Sequence, residues 1–241
     1  MPSFTVGRYD RRSSGCPAQR RDPGDRLLEQ IPPATRSLLL ANVIAFFLFQ
    51  WLGPSASVDF MLWPWGEFPA LDPRGMPTTV GFLPWQVVSY GFLHGGFEHL
   101  FFNMLALFMF GAQIELVWGQ QRFLTYYFTC MVGAGFIQLG VASWSAYSGA
   151  GIYPTVGASG GVFGILLAYA ILFPNRRVLL LIPPIPMRAR TLVVLYGLLE
   201  LYLGVTGTQT GVAHFAHLGG MAFGYGLIQY WRGRWPFDRR R

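Results

Sequence analysis

Six apolar segments, each close to the length of a membrane-spanning helix, dominate this chain of 241 residues. A spanning α-helix needs about 20 apolar residues to cross roughly 30 Å of hydrocarbon. Only 12% of the residues are charged, whereas about a quarter are charged in a typical soluble domain. We therefore predict an all-α membrane protein, a bundle of six transmembrane helices within residues 35–231. The predicted segments are 35–52, 97–113, 123–144, 159–173, 191–205 and 212–231.

Prolines limit the fifth of these segments. An apolar run at 178–182 precedes it, but Pro183, Pro184 and Pro186 follow directly. Proline lacks the backbone N–H and clashes with the preceding helical turn, so these residues should break any continuous helix here. The fifth span is accordingly predicted to begin only after them.

The basic residues predict the orientation of the bundle. The chain has no lysine, and with six spans 17 of its 18 arginines fall on one side of the membrane, leaving only Arg74 on the other. Basic loops are retained in the cytoplasm, which predicts that both termini are cytoplasmic. The net charge of +7 is thereby explained by membrane orientation, and we predict no nucleic-acid partner.

Both ends of the chain are polar. Residues 1–34 have no apolar core of signal-peptide length and are predicted to form a disordered cytoplasmic tail. Residues 232–241 are predicted to form a basic cytoplasmic tail. Cys16 lies in the first tail and Cys130 in an apolar segment, so the two cysteines are predicted to be free thiols.

A long loop at 53–96 separates the first two segments and is rich in tryptophan and phenylalanine. Such side chains favour the membrane interface, which indicates an aromatic belt. A loop partly sunk into the outer leaflet would have the same composition. The two interpretations are compatible, and the sequence leaves both open.

The fourth segment begins at Ser159 and is too short to cross the bilayer. Fifteen residues make a helix of about 22 Å, so its start should lie roughly 8 Å below the external surface. Gly157, Gly160 and Gly161 favour a tight loop leading into this helix. Ser159 would lie at the positive end of the helix dipole. The alternative is that Ser159 only caps the helix.

Two other polar side chains should lie at a similar depth. His217 follows the start of the sixth segment by five residues, and Asn103 follows the start of the second by six. Ionisable and polar residues inside a membrane are costly and are candidates for function. His214 is a competing histidine one turn earlier. Glu200, in the fifth segment, is a candidate third acid, a polar contact between helices, or a residue that extends to the outer interface.

Small residues indicate how these helices meet. Gly160 and Gly164 form one pair at four-residue spacing, and Gly220 and Gly224 form another. Such pairs allow helix backbones to approach closely in membranes. His217 precedes Gly220 by three residues and shares its face, so close packing would bring it to the start of the fourth helix.

These residue types fit acyl transfer. A serine hydroxyl becomes a useful nucleophile when a neighbouring base takes its proton, and histidine is the usual base. The oxyanion that forms needs hydrogen-bond donors. His99 and Asn103 are four residues apart on one helical face, and both can donate. The backbone N–H near Ser159 is another candidate donor.

Three motifs resemble those of the rhomboid intramembrane serine proteases. The run GASG at 157–160 resembles the family's G-x-S-G nucleophile motif. The pattern H-x4-H-x3-N at 94–103 resembles its second-span signature, and AHLGG at 216–220 with Gly224 resembles its sixth-span signature. The motifs occur in the family's order on the expected segments, and the resemblance extends over about residues 35–231.

The resemblance implies a rhomboid-like bundle with a Ser–His dyad and no third acid. Ser159 would be the nucleophile and His217 the base, with His99 and Asn103 at the oxyanion site. It also implies a supporting hydrogen bond from His94, an aromatic stack on the base from Phe163, and a conserved end of the second span comprising Glu115, Gly119 and Arg122. The substrate would be a single-span membrane protein in the lipid bilayer, with the enzyme in a bacterial plasma membrane.

One residue departs from the family pattern. Gln86 follows Trp85 where rhomboids often have arginine, which puts the anchoring of the first loop in doubt. No cofactor is expected. No metal is expected either, because His214 and His217 lack the glutamate of an H-E-x-x-H motif.

Two other functional classes remain as alternatives. A catalytically inactive rhomboid-like protein would bind membrane proteins without cutting them. A small transporter would normally show internal repeats and paired broken helices, which this sequence lacks. The sequence leaves the substrate, the oligomeric state and regulation undetermined.

Overall fold

The computed structural model describes residues 31–72, 75–179, 184–207 and 212–234. Within these residues the chain is mostly helical, with two small antiparallel hairpins. The helices are α1 (Pro33–Leu52), α2 (Pro54–Ser57), α3 (Gln86–Ser89), α4 (Phe97–Trp118), α5 (Gln120–Tyr147), α6 (Ser159–Leu172), α7 (Ala189–Thr206) and α8 (His214–Trp231). The strands are β1 (Glu67–Leu71), β2 (Pro77–Gly81), β3 (Arg177–Leu179) and β4 (Pro186–Arg188).

Each predicted apolar segment corresponds to one helix of 14 or more residues. Four helices in the described part of the chain, α1, α4, α5 and α7, are long and apolar enough to cross a membrane. Helix α6 has 14 residues, or about 21 Å, and is as short as the sequence predicted. Helix α8 has 18 residues. That all six helices cross the bilayer stays a prediction.

Helices α5, α6 and α8 form the centre of the bundle through glycine contacts. A Cβ on Gly220 would lie 1.9 Å from the backbone oxygen of Gly160, so the two backbones touch with no side chain between them. Gly164 packs on Cys130, and Gly224 packs on Tyr126. The predicted close approach of these helices is therefore confirmed, and Cys130 is a buried free thiol.

Helix α4 extends past the predicted end at residue 113, and the carboxylate in this added part, that of Glu115, is satisfied inside the bundle. Glu115, which is buried, accepts hydrogen bonds from the backbone N–H groups of Ala34 and Thr35 and from the Thr35 hydroxyl, at 2.7–2.8 Å. These N–H groups lie in the first turn of α1 and have no partner within their own helix. The carboxylate also complements the helix dipole there. Residues Leu107–Gly111 form a π-helical stretch within α4.

The long first loop has more regular structure than the sequence predicted. Strands β1 and β2 pair in antiparallel register from Glu67–Gly81 to Leu71–Pro77. The loop is also tied to the segment preceding α6, because the backbone groups of Leu62 and Thr155 exchange two hydrogen bonds of 3.0 and 2.9 Å. The described loop is therefore joined to the chain that leads to Ser159.

Gln86 anchors this loop, contrary to expectation. Its side-chain oxygen accepts from the backbone of Trp63 at 3.1 Å, and its amide nitrogen donates to the carbonyls of Asp59 and Gly81 at 3.2 and 3.3 Å. The doubt about anchoring was wrong because a neutral amide can donate and accept at once.

Some boundaries differ from the sequence prediction. Helix α8 begins at His214, whereas the sequence predicted residue 212. The prediction used hydropathy alone and so included Val212 and Ala213, which precede the helix. Helix α1 begins at Pro33, whose fixed φ suits a first helical position. The predicted proline break falls at strands β3 and β4, since Pro184 lies between them in the chain and Pro186 is the first residue of β4. Most of both predicted tails, including Cys16, lies outside the described residues, because these begin at residue 31 and end at residue 234. Two internal residues, Arg74 and Pro183, also lie outside them.

Candidate active site

Ser159 is the first residue of α6 and faces His217 of α8. The hydroxyl Oγ of Ser159 lies 2.8 Å from Nε2 of His217, within hydrogen-bond distance. Ala158 occupies the cap position, and no side chain caps this helix. The serine is therefore used for the contact with histidine and not as a helix cap. Ser159 is the first residue of its helix, where backbone N–H groups have no intrahelical partner.

A turn that requires glycine delivers the serine to the helix. Gly157 has φ +129°, a conformation that residues other than glycine rarely adopt. Its N–H donates to the carbonyl of Tyr90 at 2.9 Å, and the Tyr90 hydroxyl donates to the carbonyl of Met131 at 2.6 Å. The turn before the serine is thus held by the end of the first loop and by α5.

Phe163 lies against the histidine, as the family resemblance implied. Its ring is 4.1 Å from the imidazole of His217, centroid to centroid, with 6° between the ring planes. Phe163 also meets Tyr196 of α7 edge-on at 6.2 Å. This stack fixes the plane in which the imidazole can present its nitrogens.

His99 lies on the other side of the turn. A Cβ on Gly157 would be 2.7 Å from Cε1 and from Nε2 of His99, so the imidazole edge packs on the glycine. The N–H of Gly95 donates to Nδ1 of His99 at 3.4 Å, which assigns the proton of the neutral ring to Nε2. The Nε2–H group of His99 is therefore a hydrogen-bond donor directed towards the turn that precedes Ser159.

His94 supports His99 by ring contact. The two rings meet edge-to-face with centroids 5.1 Å apart, and neither nitrogen of His94 hydrogen-bonds to His99. The supporting hydrogen bond implied by the resemblance is thus replaced by packing between these two residues. Burial, followed by the nearby His99, lowers the pKa of His94 to about 4, so His94 is neutral at physiological pH.

Asn103 is 6% exposed, and its Nδ2 donates to the carbonyl of His99 at 2.8 Å. A side-chain amide has two N–H protons, so one remains for another acceptor. Asn103, His99, Ser159 and His217 all line one cavity. The four site residues predicted from the sequence are therefore brought together in the structure.

This cavity has a volume of about 1260 Å³ and extends between α4 and α7. Met109 and Phe110 of α4 line it, as do Leu192 and Tyr196 of α7. Its walls are largely apolar, and Ser159 lies among the lining residues. A space of this size and shape can hold an extended segment of polypeptide.

Glu200 was not assigned to the site from the sequence. Its Oε2 lies 2.6 Å from Nδ1 of His214 and 2.9 Å from Nδ1 of His217, and all three residues are buried. Their ligand atoms are close enough together that the three side chains could hold a metal ion. The signal available in the sequence was a lone glutamate in an apolar segment followed by His-x2-His, but spacing alone does not show that the two helices meet.

The fold and these facing polar side chains define a membrane-embedded, multi-pass protein with a serine and a histidine paired inside a helical bundle. A sequence model of the rhomboid domain matches residues 83–233. Because this match covers more than half of the chain, the protein belongs to the rhomboid family.

Three curated relatives carry rhomboid names, and two of these names include the word protease. The chain is 32% identical over 101 residues to "Rhomboid protein 1, mitochondrial" of Saccharomyces cerevisiae, covering 42% of this chain and 29% of the relative. It is 35% identical over 94 residues to the putative rhomboid protease YdcA of Bacillus subtilis, covering 38% and 43%. It is 26% identical over 223 residues to rhomboid protease GlpG of Yersinia pestis, covering 91% and 69%. The matches to the yeast and Bacillus proteins therefore span less than half of those relatives.

Proposed function

We propose that this protein is an intramembrane serine endopeptidase that cleaves transmembrane segments of other membrane proteins through an acyl-enzyme. The observation that carries the proposal is the 2.8 Å contact between Oγ of Ser159 and Nε2 of His217 inside an apolar bundle. Membership of a family with protease-named relatives supports it.

In the first half of the reaction, His217 acts as general base. Its Nε2 takes the proton of the Ser159 hydroxyl while Oγ attacks the carbonyl carbon of the scissile peptide. Negative charge develops on the carbonyl oxygen and needs donors already in place. His99 Nε2–H, the second amide proton of Asn103 and the backbone N–H of Ser159 are the candidates.

In the second half, the same histidine acts as general acid. The imidazolium of His217 gives its proton to the leaving amine, the C–N bond breaks, and Ser159 is left acylated. Water then loses a proton to His217 and attacks the ester, which frees the acid product and restores the hydroxyl. Nucleophile and base therefore act as one unit in both halves.

The cavity supports a membrane-protein substrate. Its largely apolar walls suit an apolar polypeptide, and Ser159 lines it. A regular helix has its carbonyls engaged in internal hydrogen bonds, so the substrate must unwind to expose one to Ser159. Single-span proteins with small or helix-breaking residues near the cleavage site meet this requirement.

The distribution of arginine supports the topology that goes with this function. We propose six spans in a bacterial plasma membrane, with both termini in the cytoplasm. A phosphatase reporter fused after Trp231 would then stay inactive. Strong periplasmic phosphatase activity would contradict this topology without affecting the dyad.

The alternative of an inactive, substrate-binding relative is less well supported. Such a protein has no need for a serine hydroxyl within hydrogen-bond distance of a stacked histidine. Both groups are present here, and Phe163 holds the ring of His217 in plane.

The first experiment is labelling of the purified protein in detergent with a fluorophosphonate probe, with the modified residue mapped by mass spectrometry. We expect modification at Ser159, lost in Ser159→Ala and in His217→Ala. The exposed Ser148 supplies a matched control, and Ser148→Ala should label as wild type. Labelling unchanged in Ser159→Ala would overturn the assignment.

The second experiment measures cleavage. Membrane proteins shed by cells with wild-type protein are compared with those shed by cells with Ser159→Ala. Candidate substrates are then cleaved in liposomes, where Ser159→Ala, His217→Ala and the double variant should lose activity to the same extent because losses within one catalytic unit do not add. Activity that survives in His217→Ala but is lost in His214→Ala would identify the other histidine as base.

A further inference from the structure

A buried carboxylate lies directly behind the proposed base. Glu200 is 7% exposed, and its Oε2 is 2.9 Å from Nδ1 of His217, the nitrogen that does not face Ser159. The contact has the length of an ion pair, although its angle falls outside that of a hydrogen bond. The order carboxylate, imidazole, hydroxyl is that of a serine protease triad.

We propose that Glu200 is a positioning residue that fixes the tautomer and orientation of His217 and stabilises the imidazolium during proteolysis. This inference rests on the proposed function, and it differs from the two-residue dyad that the family resemblance implies. Glu200 touches neither the substrate nor the hydroxyl, so it acts only through His217.

The helices are packed so that this contact can form. Gly204 follows Glu200 by four residues on the same face of α7, and a Cβ there would lie 3.2 Å from Cβ of His214 and from the ring of Phe215. The glycine lets α7 lie close to the start of α8. Without that approach the carboxylate would not reach the histidines.

A carboxylate inside a membrane protein is costly unless it is paired. Glu200 has two partners, because Nδ1 of His214 lies 2.6 Å from the same Oε2. His214 holds the carboxylate in place by donating to it, and Glu200 can then serve His217. The second histidine, a competitor for the role of base in the sequence, is assigned this supporting contact.

The positions of the ring protons on His214 and His217 follow from the carboxylate of Glu200, which is the acceptor. An ionised carboxylate only accepts, so both histidines present N–H from Nδ1. The unprotonated nitrogen of His217 is then Nε2, the one that faces Ser159. During attack the serine proton moves to Nε2, Nδ1 keeps its proton, and the positive charge of the ring forms next to the carboxylate. Glu200 remains ionised throughout, and no other reactant is needed.

A metal ion held by the same three side chains is the competing interpretation. Zinc bonds of about 2.0–2.1 Å in a tetrahedral site separate ligand atoms by about 3.3 Å. The two nitrogens here lie at 2.6 and 2.9 Å from one oxygen, which is closer than two ligands of one zinc ion would lie. The distances therefore favour direct contacts between the carboxylate and the two imidazoles over metal ligation.

The test compares two buried glutamates in the full-length protein in liposomes. Loss of the triad acid from soluble serine proteases costs up to about 10⁴ in kcat, and the off-axis contact here leads us to expect about 10- to 1000-fold for Glu200→Gln, with KM little changed. Glu200→Asp, which keeps the charge at shorter reach, should give an intermediate kcat. Glu115→Gln removes the carboxylate that caps α1 and should lower the melting temperature while kcat stays near wild type.

A double variant separates positioning from general stability. In a His217→Ala background, Glu200→Gln should cause no further loss of residual activity, because its effect passes through that ring. Wild-type kcat in both Glu200→Gln and Glu200→Asp would overturn the inference and leave the dyad intact. Full cleavage by Ser159→Ala would instead overturn the proposed function.

The metal interpretation is tested in the same assay. We expect o-phenanthroline and added zinc to leave the wild-type rate unchanged at concentrations below those that perturb the bilayer. Loss of activity with the chelator, restored by zinc and abolished equally in His214→Ala, would replace the positioning role by a metal site.

Discussion

The rings of Phe163 and His217 are stacked almost in parallel, 4.1 Å apart, although they belong to different helices. The contact joins α6, which carries the nucleophile, to α8, which carries the base. It leaves the imidazole free to move within its plane but opposes rotation out of it. One nitrogen of this ring, Nε2, meets the hydroxyl of Ser159, and the other, Nδ1, lies 2.9 Å from the carboxylate of Glu200.

Replacing the stacked ring should therefore slow the reaction without unfolding the bundle. Stacked aromatic pairs contribute about 0.5–1.5 kcal/mol, so Phe163→Leu should lower kcat by about 3- to 10-fold. Phe163→Tyr keeps the ring and should stay near wild type. Phe136→Leu, at an exposed position on α5, is the control for loss of a phenyl ring. Equal kcat in Phe163→Leu and wild type would show that the stack does not orient the base.

Gly220→Ala should separate nucleophile and base. The added Cβ would fall 1.9 Å from the backbone oxygen of Gly160, which cannot rotate away, so α8 must move from α6. A displacement of about 1 Å can cost 100-fold in rate, and overpacking typically costs about 1–3 kcal/mol of stability. Cleavage and thermal unfolding in detergent measure the two effects.

Gly140→Ala is the matched control for that change. Gly140 lies within α5 with nothing within 4 Å of its added Cβ. It should retain full activity and a melting temperature at or above that of wild type. A Gly220→Ala protein as active as Gly140→Ala would contradict the close contact of α6 with α8.

Asn103→Ala should be impaired in turnover more than in stability. Loss of one oxyanion donor typically costs about 100- to 1000-fold, and the remaining donors should keep activity above that of Ser159→Ala. Apparent substrate affinity should change little, because the charge develops only in the transition state. Cleavage rates over a range of substrate concentrations test both points.

Asn42 provides the control for the structural role of such an amide. It is a buried asparagine on α1 whose Nδ2 donates to the carbonyl of Leu38 at 2.8 Å, four residues back, as Nδ2 of Asn103 does to His99. Asn42→Ala should lower the melting temperature but not turnover. Full turnover in Asn103→Ala, with a much lower melting temperature, would make Asn103 a strut between helices and defeat the oxyanion assignment.

Gln86→Ala should loosen the first loop. It removes the acceptor for Trp63 and the donor to Asp59 and Gly81, and each buried group left unpaired costs about 1–3 kcal/mol. We expect a lower melting temperature and faster proteolytic nicking between α1 and α4. Gln121→Ala, at the exposed start of α5, should change neither. An equally resistant loop in Gln86→Ala would show that other contacts suffice to hold it.

Much of the helical framework could be predicted from the sequence because the bilayer restricts what an apolar segment can do. The start of α6 at Ser159 followed from a short apolar run preceded by glycine, and the contact of Gly160 with Gly220 followed from paired small residues. Both signals are local. The predicted meeting of Ser159 with His217 is likewise seen in the structure because it depends on that contact.

The β1–β2 hairpin was missed because its strands hold prolines and do not alternate clearly between apolar and polar residues. The Asp72-Pro-Arg-Gly75 run between them is a turn signal that could have indicated it. The pairing of Glu200 with His214 could not be read from the sequence, since it depends on how closely α7 approaches α8. The hydropathy pattern also predicted the start of α8 at residue 212, two residues before the observed start at His214.

The bare backbone contact between Gly160 and Gly220 has a consequence for how activity is lost on heating. No flexible side chain lies between the two helices at this contact. Small side-chain movements therefore cannot increase the distance between the helices gradually. The distance between nucleophile and base can then increase only when whole helices part. Inactivation and global unfolding should coincide as a single cooperative transition, and cleavage should persist nearly undiminished up to the temperature at which the bundle melts.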